Sequence, residues 1–225
     1  MRSVQKGDAP NPYSDYKAAR NDLAIAIGWF CSYCEMPVKN MIEVEHVHPV
    51  ANGGNELDWE NFLLACRYCN GIKSNNNTSR VGYFWPDVDN TTLAFQYSEL
   101  NIIEPALGLS AGETAIARST INLTGLNRTP HSGNEPTDAD SRWIARLSAI
   151  GVINESYNDW LTNPTAAFAR QIARTATGHG FYSYWMLKFA GVILVMDAIN
   201  AAFAGTYIPQ DDVTGTKVIR PNGSF

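Results

Sequence analysis

The chain has 225 residues, 45% hydrophobic and 17% charged, which is enough apolar material for a packed core and excludes global disorder. Its formal net charge of -5 excludes long-range attraction of the whole molecule to a phosphate backbone, so any nucleic-acid binding has to be local or supplied by a partner. Met1 to Pro12 is polar and carries two prolines, unlike a secretory leader, so the expected compartment is the cytoplasm.

From Asp15 to Phe30 the residues Tyr16, Ala19, Leu23, Ile27 and Phe30 recur at three- and four-residue steps, which predicts an amphipathic helix ending at Cys31-Ser32-Tyr33-Cys34. Met41 to Val47 is short and rich in β-formers, Pro49 stops it, and Ala51 to Asn55 is a dense turn signal. A second short apolar run, Asn61 to Ala65, leads into Cys66-Arg67-Tyr68-Cys69, and Asn70 to Asn76 is predicted to be helical. Tyr83 to Pro86 and Leu93 to Tyr97 read as extended segments around a loop over Asp87 to Thr92. Helices are predicted over 111–128 and 137–161, the second capped by Thr137, with His131 to Pro136 as the linker between them. Pro164 suits the first turn of the next helix, and Gly178-His179-Gly180 separates it from the last. That last stretch, Phe181 to Phe203, is the most apolar of the chain. Its uncharged run is only Phe189 to Met196, whereas a spanning helix needs about 20 predominantly apolar residues, so it reads as a buried helix and no membrane partner is expected. The tail after Gly205 is expected to be irregular. Trp143, Trp160 and Trp185 lie on helical stripes and read as core, while His131 and His179, in turn-like segments, read as structural or surface residues.

All four cysteines fall in the two C-x-x-C pairs, which points to one metal ion and not to a disulfide framework. Each pair makes a tight knuckle, and tetrahedral zinc needs four such ligands. The interval between the pairs exceeds the roughly 15–20 residues of common zinc ribbons, so something is inserted. The insert holds Glu45-His46-Val47-His48-Pro49, Gly53-Gly54 and Trp59-Glu60-Asn61, and the second pair runs directly into Asn70-Gly71-Ile72-Lys73.

This succession, over residues 31–77, resembles the HNH nuclease family. The resemblance implies an α+β fold in which a ββα-metal core carries a four-cysteine structural zinc and is followed by a mostly helical carboxy-terminal region. The expected division is a nuclease domain with an amino-terminal helix over 1–100 and a helical domain over 101–225. Carried over by position, His46 is the general base, Asn61 orients it, and Glu45 and Asn70 bind a catalytic Mg²⁺ or Mn²⁺, with His48 a further candidate ligand. Cys31, Cys34, Cys66 and Cys69 hold the zinc, and the implied substrate is DNA. Lys73 and Arg67, basic residues beside the second knuckle, are candidate phosphate contacts. The residue types suit the chemistry. In-line attack of water on a phosphodiester needs a base that titrates near neutrality and a cation held by oxygen donors, whereas a zinc closed by four thiolates has no open position. Adjacent strand residues point to opposite faces, so Glu45 and His46 share a site only if the strand ends or bulges there, which Pro49 is placed to cause.

Met1 to Gly7, Pro10, the first helix and Cys31-Ser32-Tyr33-Cys34-Glu35 are similar to the opening of bacterial HNH proteins of the PtuB type, which work in the Septu anti-phage system with an SMC-like ATPase. That similarity implies a defence role and an ATPase partner docking on the helices after residue 100. A stand-alone HNH nuclease or toxin, and a non-catalytic zinc-dependent module that binds nucleic acid or protein, are the alternatives.

Overall fold

A computed structural model describes residues 1–98, 101–130, 132–211 and 218–225. His131, expected at a linker, lies outside the described residues. The Asp15 carboxylate accepts the Lys17 amide and opens a 3-10 turn, Tyr16–Ala19, that runs into α1 (Arg20–Ile27). α1 buries Leu23, Ala24 and Ile27, as its periodicity requires.

β1 (Ile42–His46) pairs antiparallel with β2 (Phe62–Cys66), from Ile42 opposite Cys66 to His46 opposite Phe62. The register is unbroken through His46, where β1 ends, so of the two expected ways to bring Glu45 and His46 to one site, the strand stops and does not bulge. Pro49 acts beyond the strand, and period-two alternation sets Glu43 and Glu45 on one face with Val44 and His46 on the other. α2 (Arg67–Lys73) starts at Arg67, earlier than the expected Asn70, because Cys66 is its cap: the Cys69 amide donates to the Cys66 sulfur at 3.4 Å. The second knuckle is therefore the first turn of a helix.

The segment expected to be extended at Tyr83 to Pro86 is irregular, since the Asp89 carboxylate accepts the Trp85 amide and turns the chain over a buried Phe84 and Trp85. Leu93 falls in a short α3 (Thr91–Ala94), followed by β3 (Phe95–Tyr97) and β4 (Ile103–Pro105), a second two-stranded antiparallel sheet. α4 (Ala111–Thr124) opens on a capping box of Ser110 and Glu113 and stops at Gly125, short of the expected 128. α5 (Arg142–Thr162) begins after the predicted cap Thr137, because Asp140 accepts both the backbone amide and the guanidinium of Arg142. α6 (Ala166–His179) is capped by Thr165, leaving Pro164 just outside it.

Phe181 to Phe203 is not one buried helix. It forms α7 (Tyr182–Lys188) and α8 (Ile193–Ala202), and between them Gly191 takes a left-handed φ of 81°. Ile193 is 65% exposed, so one side of α8 faces solvent. Among the described residues no helix is long and apolar enough to cross a membrane. Trp185 and Trp160 are buried as expected, and Trp143 is half-buried.

Among the described residues two apolar cores result. One runs from Met1 through β1, β2 and α2 to Ala117, Ile121 and Leu126 of the α4 region. The other joins α5 to α8 from Ile153 to Phe203. Packing therefore divides between Leu126 and Ile153 and not at residue 100, because α4 lies on α2 and completes the first core. Polar ties cross the division: Glu35 accepts the Ser183 amide and hydroxyl at 2.7 and 2.6 Å, and Val4 bridges to Thr206.

Candidate active site and metal centre

The four cysteines are buried free thiols whose sulfurs all lie within 4.8 Å of one another. Cys34 and Cys66 Sγ are 3.8 Å apart. Four sulfurs bound to one zinc at about 2.3 Å stand about 3.8 Å from each other in a tetrahedron, so the spacing fits that ion. The first knuckle is closed by Glu35, which turns through a left-handed φ of 63° and donates its amide to Cys31 O. It is tied to β2 by the Ser32 amide on Leu64 O at 2.8 Å. Thiol hydrogen bonds from Cys31, Cys34 and Cys69 hold Cys66 far below the usual thiol range, while the same crowding pushes Cys34 up. A bound dication lets all four ionise together.

Sequence reasoning missed Arg142, whose guanidinium spends its five N–H groups on Asp140 Oδ1 and Oδ2, Thr124 O, Gly125 O and the Cys69 sulfur, the last at 3.1 Å. Burial opposes its charge, but Asp140 and the thiols at Cys69 and Cys34 raise its hold on the proton above the ordinary value. A cation from α5 thus rests on one of the four sulfurs. Nothing in local sequence pattern ties it to residue 69.

A cleft of about 310 Å³ is lined by Tyr16, His46, Pro49, Glu56, Asn70 and Ser74, among others. His46 is half-buried between the rings of Tyr16 and Phe62, with centroids at 4.8 and 5.4 Å, and its Nε2 lies 3.0 Å from the Glu56 carbonyl. That carbonyl belongs to a loop clamped by Asn61. The buried amide of Asn61 accepts the His48 N–H at 2.8 Å and donates to His48 O and Asn55 O at 2.9 Å each. Asn61 therefore touches the loop and not the imidazole. Gly54 lets the loop close, because a Cβ there would stand 1.9 Å from His48 O.

The other expected site residues are placed differently. His48 Nε2 is taken by Asn52 O at 3.0 Å and the ring is absent from the cleft lining. Arg67 is exposed at the start of α2 and outside the cleft. Lys73, expected to meet phosphate, is 1% exposed, so as placed it cannot reach one. Its ammonium ion-pairs with Glu45 Oε1 at 2.5 Å and donates to His46 O at 2.8 Å. Glu45 is equally buried, and its other oxygen accepts the Tyr33 hydroxyl at 2.6 Å. Burial, then the Glu45 charge, keeps the Tyr33 phenol protonated well beyond its ordinary range. Asn70 lines the cleft and donates Nδ2 to a different carboxylate, Glu43 Oε2, at 2.7 Å. The structure thus gathers Glu45, His46 and Asn70 along one cleft, with the Glu45 carboxylate oxygens turned inward to Lys73 and Tyr33. Glu43 was missed, although strand alternation already placed it on the Glu45 face.

Residues 31–76 match the family model described as HNH endonuclease. No curated protein matches the chain. The match begins at the first knuckle and ends just beyond α2, so it covers the four cysteines, His46, Asn61 and Asn70.

Proposed function

From an HNH endonuclease domain at residues 31–76, we propose that this chain hydrolyses phosphodiester bonds in DNA, with His46 as general base beside a divalent cation, Mg²⁺ or Mn²⁺. The observation that carries the reading is the approach of His46 Nε2 to the Glu56 carbonyl at 3.0 Å. A carbonyl only accepts, so Nε2 bears the ring proton and Nδ1 keeps the lone pair that takes a proton from attacking water. Asn61 acts at one remove, by holding the loop that supplies the carbonyl.

Asn70 and an acidic residue of β1 would hold the cation. The donor set fits: among the described residues Asn70 Oδ1 and Glu43 Oε1 take no hydrogen bond, and Mg²⁺ uses one or two protein carboxylates while keeping several waters. When bound, the cation neutralises charge on the phosphate and on the departing oxygen. The four-cysteine centre is structural in this reading, since its thiolates leave no position for water.

The residues lining the cleft include Glu45 and Glu56 and no lysine or arginine. This supports a nuclease that depends on another protein to gather DNA, as the likeness to PtuB-type defence proteins suggests, with an SMC-like ATPase on the helical half. The exposed Leu161, Leu187, Ile193 and Leu194 would serve as its docking surface.

Supercoiled plasmid incubated with the zinc-loaded protein and Mg²⁺ or Mn²⁺ should be nicked, and a chelator should stop it. Plasmid that stays intact while the protein retards DNA or a partner would favour the non-catalytic binding module. Co-purification with the products of neighbouring genes tests the partnership, and a monomer fully active alone at physiological salt would replace it with the stand-alone nuclease.

A further inference from the structure

The cleft has one wall that the family match does not supply. Tyr16 lines it from the 3-10 turn Tyr16–Ala19, ahead of the matched span, which begins at residue 31. The Asp15 carboxylate fixes that turn by accepting the Lys17 amide at 2.9 Å, and buried Ala19 roots it in the first core. The Tyr16 ring is half-buried, its centroid 4.8 Å from that of His46 at an interplanar angle of 59°. Among the described residues its hydroxyl takes no hydrogen bond, whereas the Tyr13 hydroxyl is spent on Asp22 at 2.7 Å. A phenylalanine would fill the same space, so packing alone does not account for the phenol.

A phosphate backbone needs donors and positive charge, and the lining of the cleft offers two carboxylates and no cation of its own. The residue after Tyr16 supplies one. Lys17 is exposed, and its ammonium lies 5.7 Å from the centre of the Tyr16 ring, so the ring that touches the base also carries this charge at the rim. Arg20 is exposed one 3-10 turn later, and residues three apart in such a turn eclipse, which puts the two cations in one column. Among the described residues neither makes an ion pair. Lys6, Lys73 and Arg80, by contrast, are committed to Asp87 and Glu45. A strand whose scissile phosphate sits at His46 has to carry its neighbouring phosphates along the rim, past this column.

We infer that residues 16–20 form the phosphate-binding wall of the cleft: the Tyr16 hydroxyl and the Lys17 ammonium contact the DNA backbone beside the scissile bond, and Arg20 extends the same track. The inference deepens the nuclease reading and rests on it for the identity of the substrate. Tyr16 has a second action, since its ring and that of Phe62 flank the imidazole and restrict how it turns. Backbone contacts set where the strand lies and carry no sequence information, so this wall gives binding with little sequence preference.

The test uses the zinc-loaded full-length chain and a short fluorescein-labelled DNA duplex, with no Mg²⁺ or Mn²⁺ added, so that binding is read apart from cleavage. Plasmid nicking with Mn²⁺ is measured beside it. Tyr16→Phe keeps the ring and Lys17 is exposed, so neither change threatens the fold. Tyr16→Phe and Lys17→Gln should each raise the Kd from fluorescence anisotropy by about 3- to 10-fold at low salt. Lys17→Gln should also lower the slope of log affinity against log salt by about 1, and Lys17→Arg should restore both. In nicking, the two variants should raise KM more than they lower kcat, whereas Tyr16→Ala, which also frees the imidazole, should lower kcat. Arg170→Gln is the control: it removes the same charge from α6, outside the cleft, and should bind the duplex as the wild type does. If either Tyr16→Phe or Lys17→Gln binds like the wild type, if Arg170→Gln weakens binding as much as Lys17→Gln, or if the wild type binds no DNA at low salt, the inference is overturned. Wild-type protein that binds with these side-chain dependences yet nicks nothing would instead sink the nuclease reading and leave the phosphate-binding wall standing.

Discussion

His46 contacts the rings of Tyr16 and Phe62 and the Glu56 carbonyl but none of the four thiols, so its imidazole can be removed without unmaking the metal centre. His46→Ala is expected to lower cleavage by about 10²–10⁴-fold, the usual cost of losing a general base, with zinc content and melting temperature nearly those of the wild type. Single-turnover nicking beside metal analysis checks this, and wild-type cleavage by the variant would remove His46 from the mechanism. Arg142 makes the opposite case. Arg142→Ala leaves Asp140 buried without its cation and takes a hydrogen bond from the Cys69 sulfur, so it should cost about 3–5 kcal/mol and speed the loss of zinc to a chelator. Arg142→Lys should not rescue it, since an ammonium cannot reproduce the planar fork. A lysine variant with wild-type zinc retention would show that charge alone suffices. The cysteine cluster was legible because residue type and spacing state its chemistry, and the span that holds His46 and Asn61 was legible as the stretch that matches the family model. Arg142 was not, because a side chain from α5 meets Cys69 only through tertiary packing. Lys73 was read as a phosphate contact, since nothing local announces a buried counter-ion at Glu45.

The strand, loop, strand, helix order of the centre could be read from alternation and turn residues, and the structure keeps it with shifted ends. The loop is the element whose geometry matters most for the base. Gly54→Ala puts a Cβ against the His48 carbonyl and must move the loop that presents Glu56, so it should lower cleavage steeply and cost about 1–3 kcal/mol. Gly71→Ala, within α2 and facing open space, is the control and should gain up to about 1 kcal/mol. Equal activity of the two variants would show that the loop does not orient the base. The capping box of α4 gives a pH-dependent test, because hydrogen bonds from Ser110 hold the Glu113 carboxyl below its usual range. Its folded value is depressed, so the stabilisation is present above the unfolded value near 4.5 and fades as the pH falls through the lower folded value. Ser110→Ala should cost about 1 kcal/mol near neutrality and flatten that part of the acid limb. An unchanged limb in thermal melts against pH would assign it to other carboxylates. Helix starts were the least legible feature: the Cys66 sulfur and the Asp140 carboxylate set the beginnings of α2 and α5 from positions that propensity does not mark.

At the scale of the whole molecule, the expected cut at residue 100 runs through the first core, because α4 packs on α2 and contributes Ala117, Ile121 and Leu126. A fragment ending at residue 105 lacks those side chains and Arg142, and it is expected to lose zinc to a chelator faster than the full chain and to melt without a cooperative transition. A fragment as stable as the whole would restore the division into separable halves. Composition revealed two regions of different character, but which helix belongs to which core depends on the faces that meet. The bond from Arg142 to the Cys69 sulfur carries one more consequence, in time. The two residues stand 73 apart in the chain. At about 5–20 residues per second, a ribosome completes the fourth ligand about 4–15 s before it makes the guanidinium that braces it. An ion taken up by the knuckles during synthesis would lack that brace for several seconds, and the arrival of α5 would end the interval in which a wrongly captured metal could be exchanged.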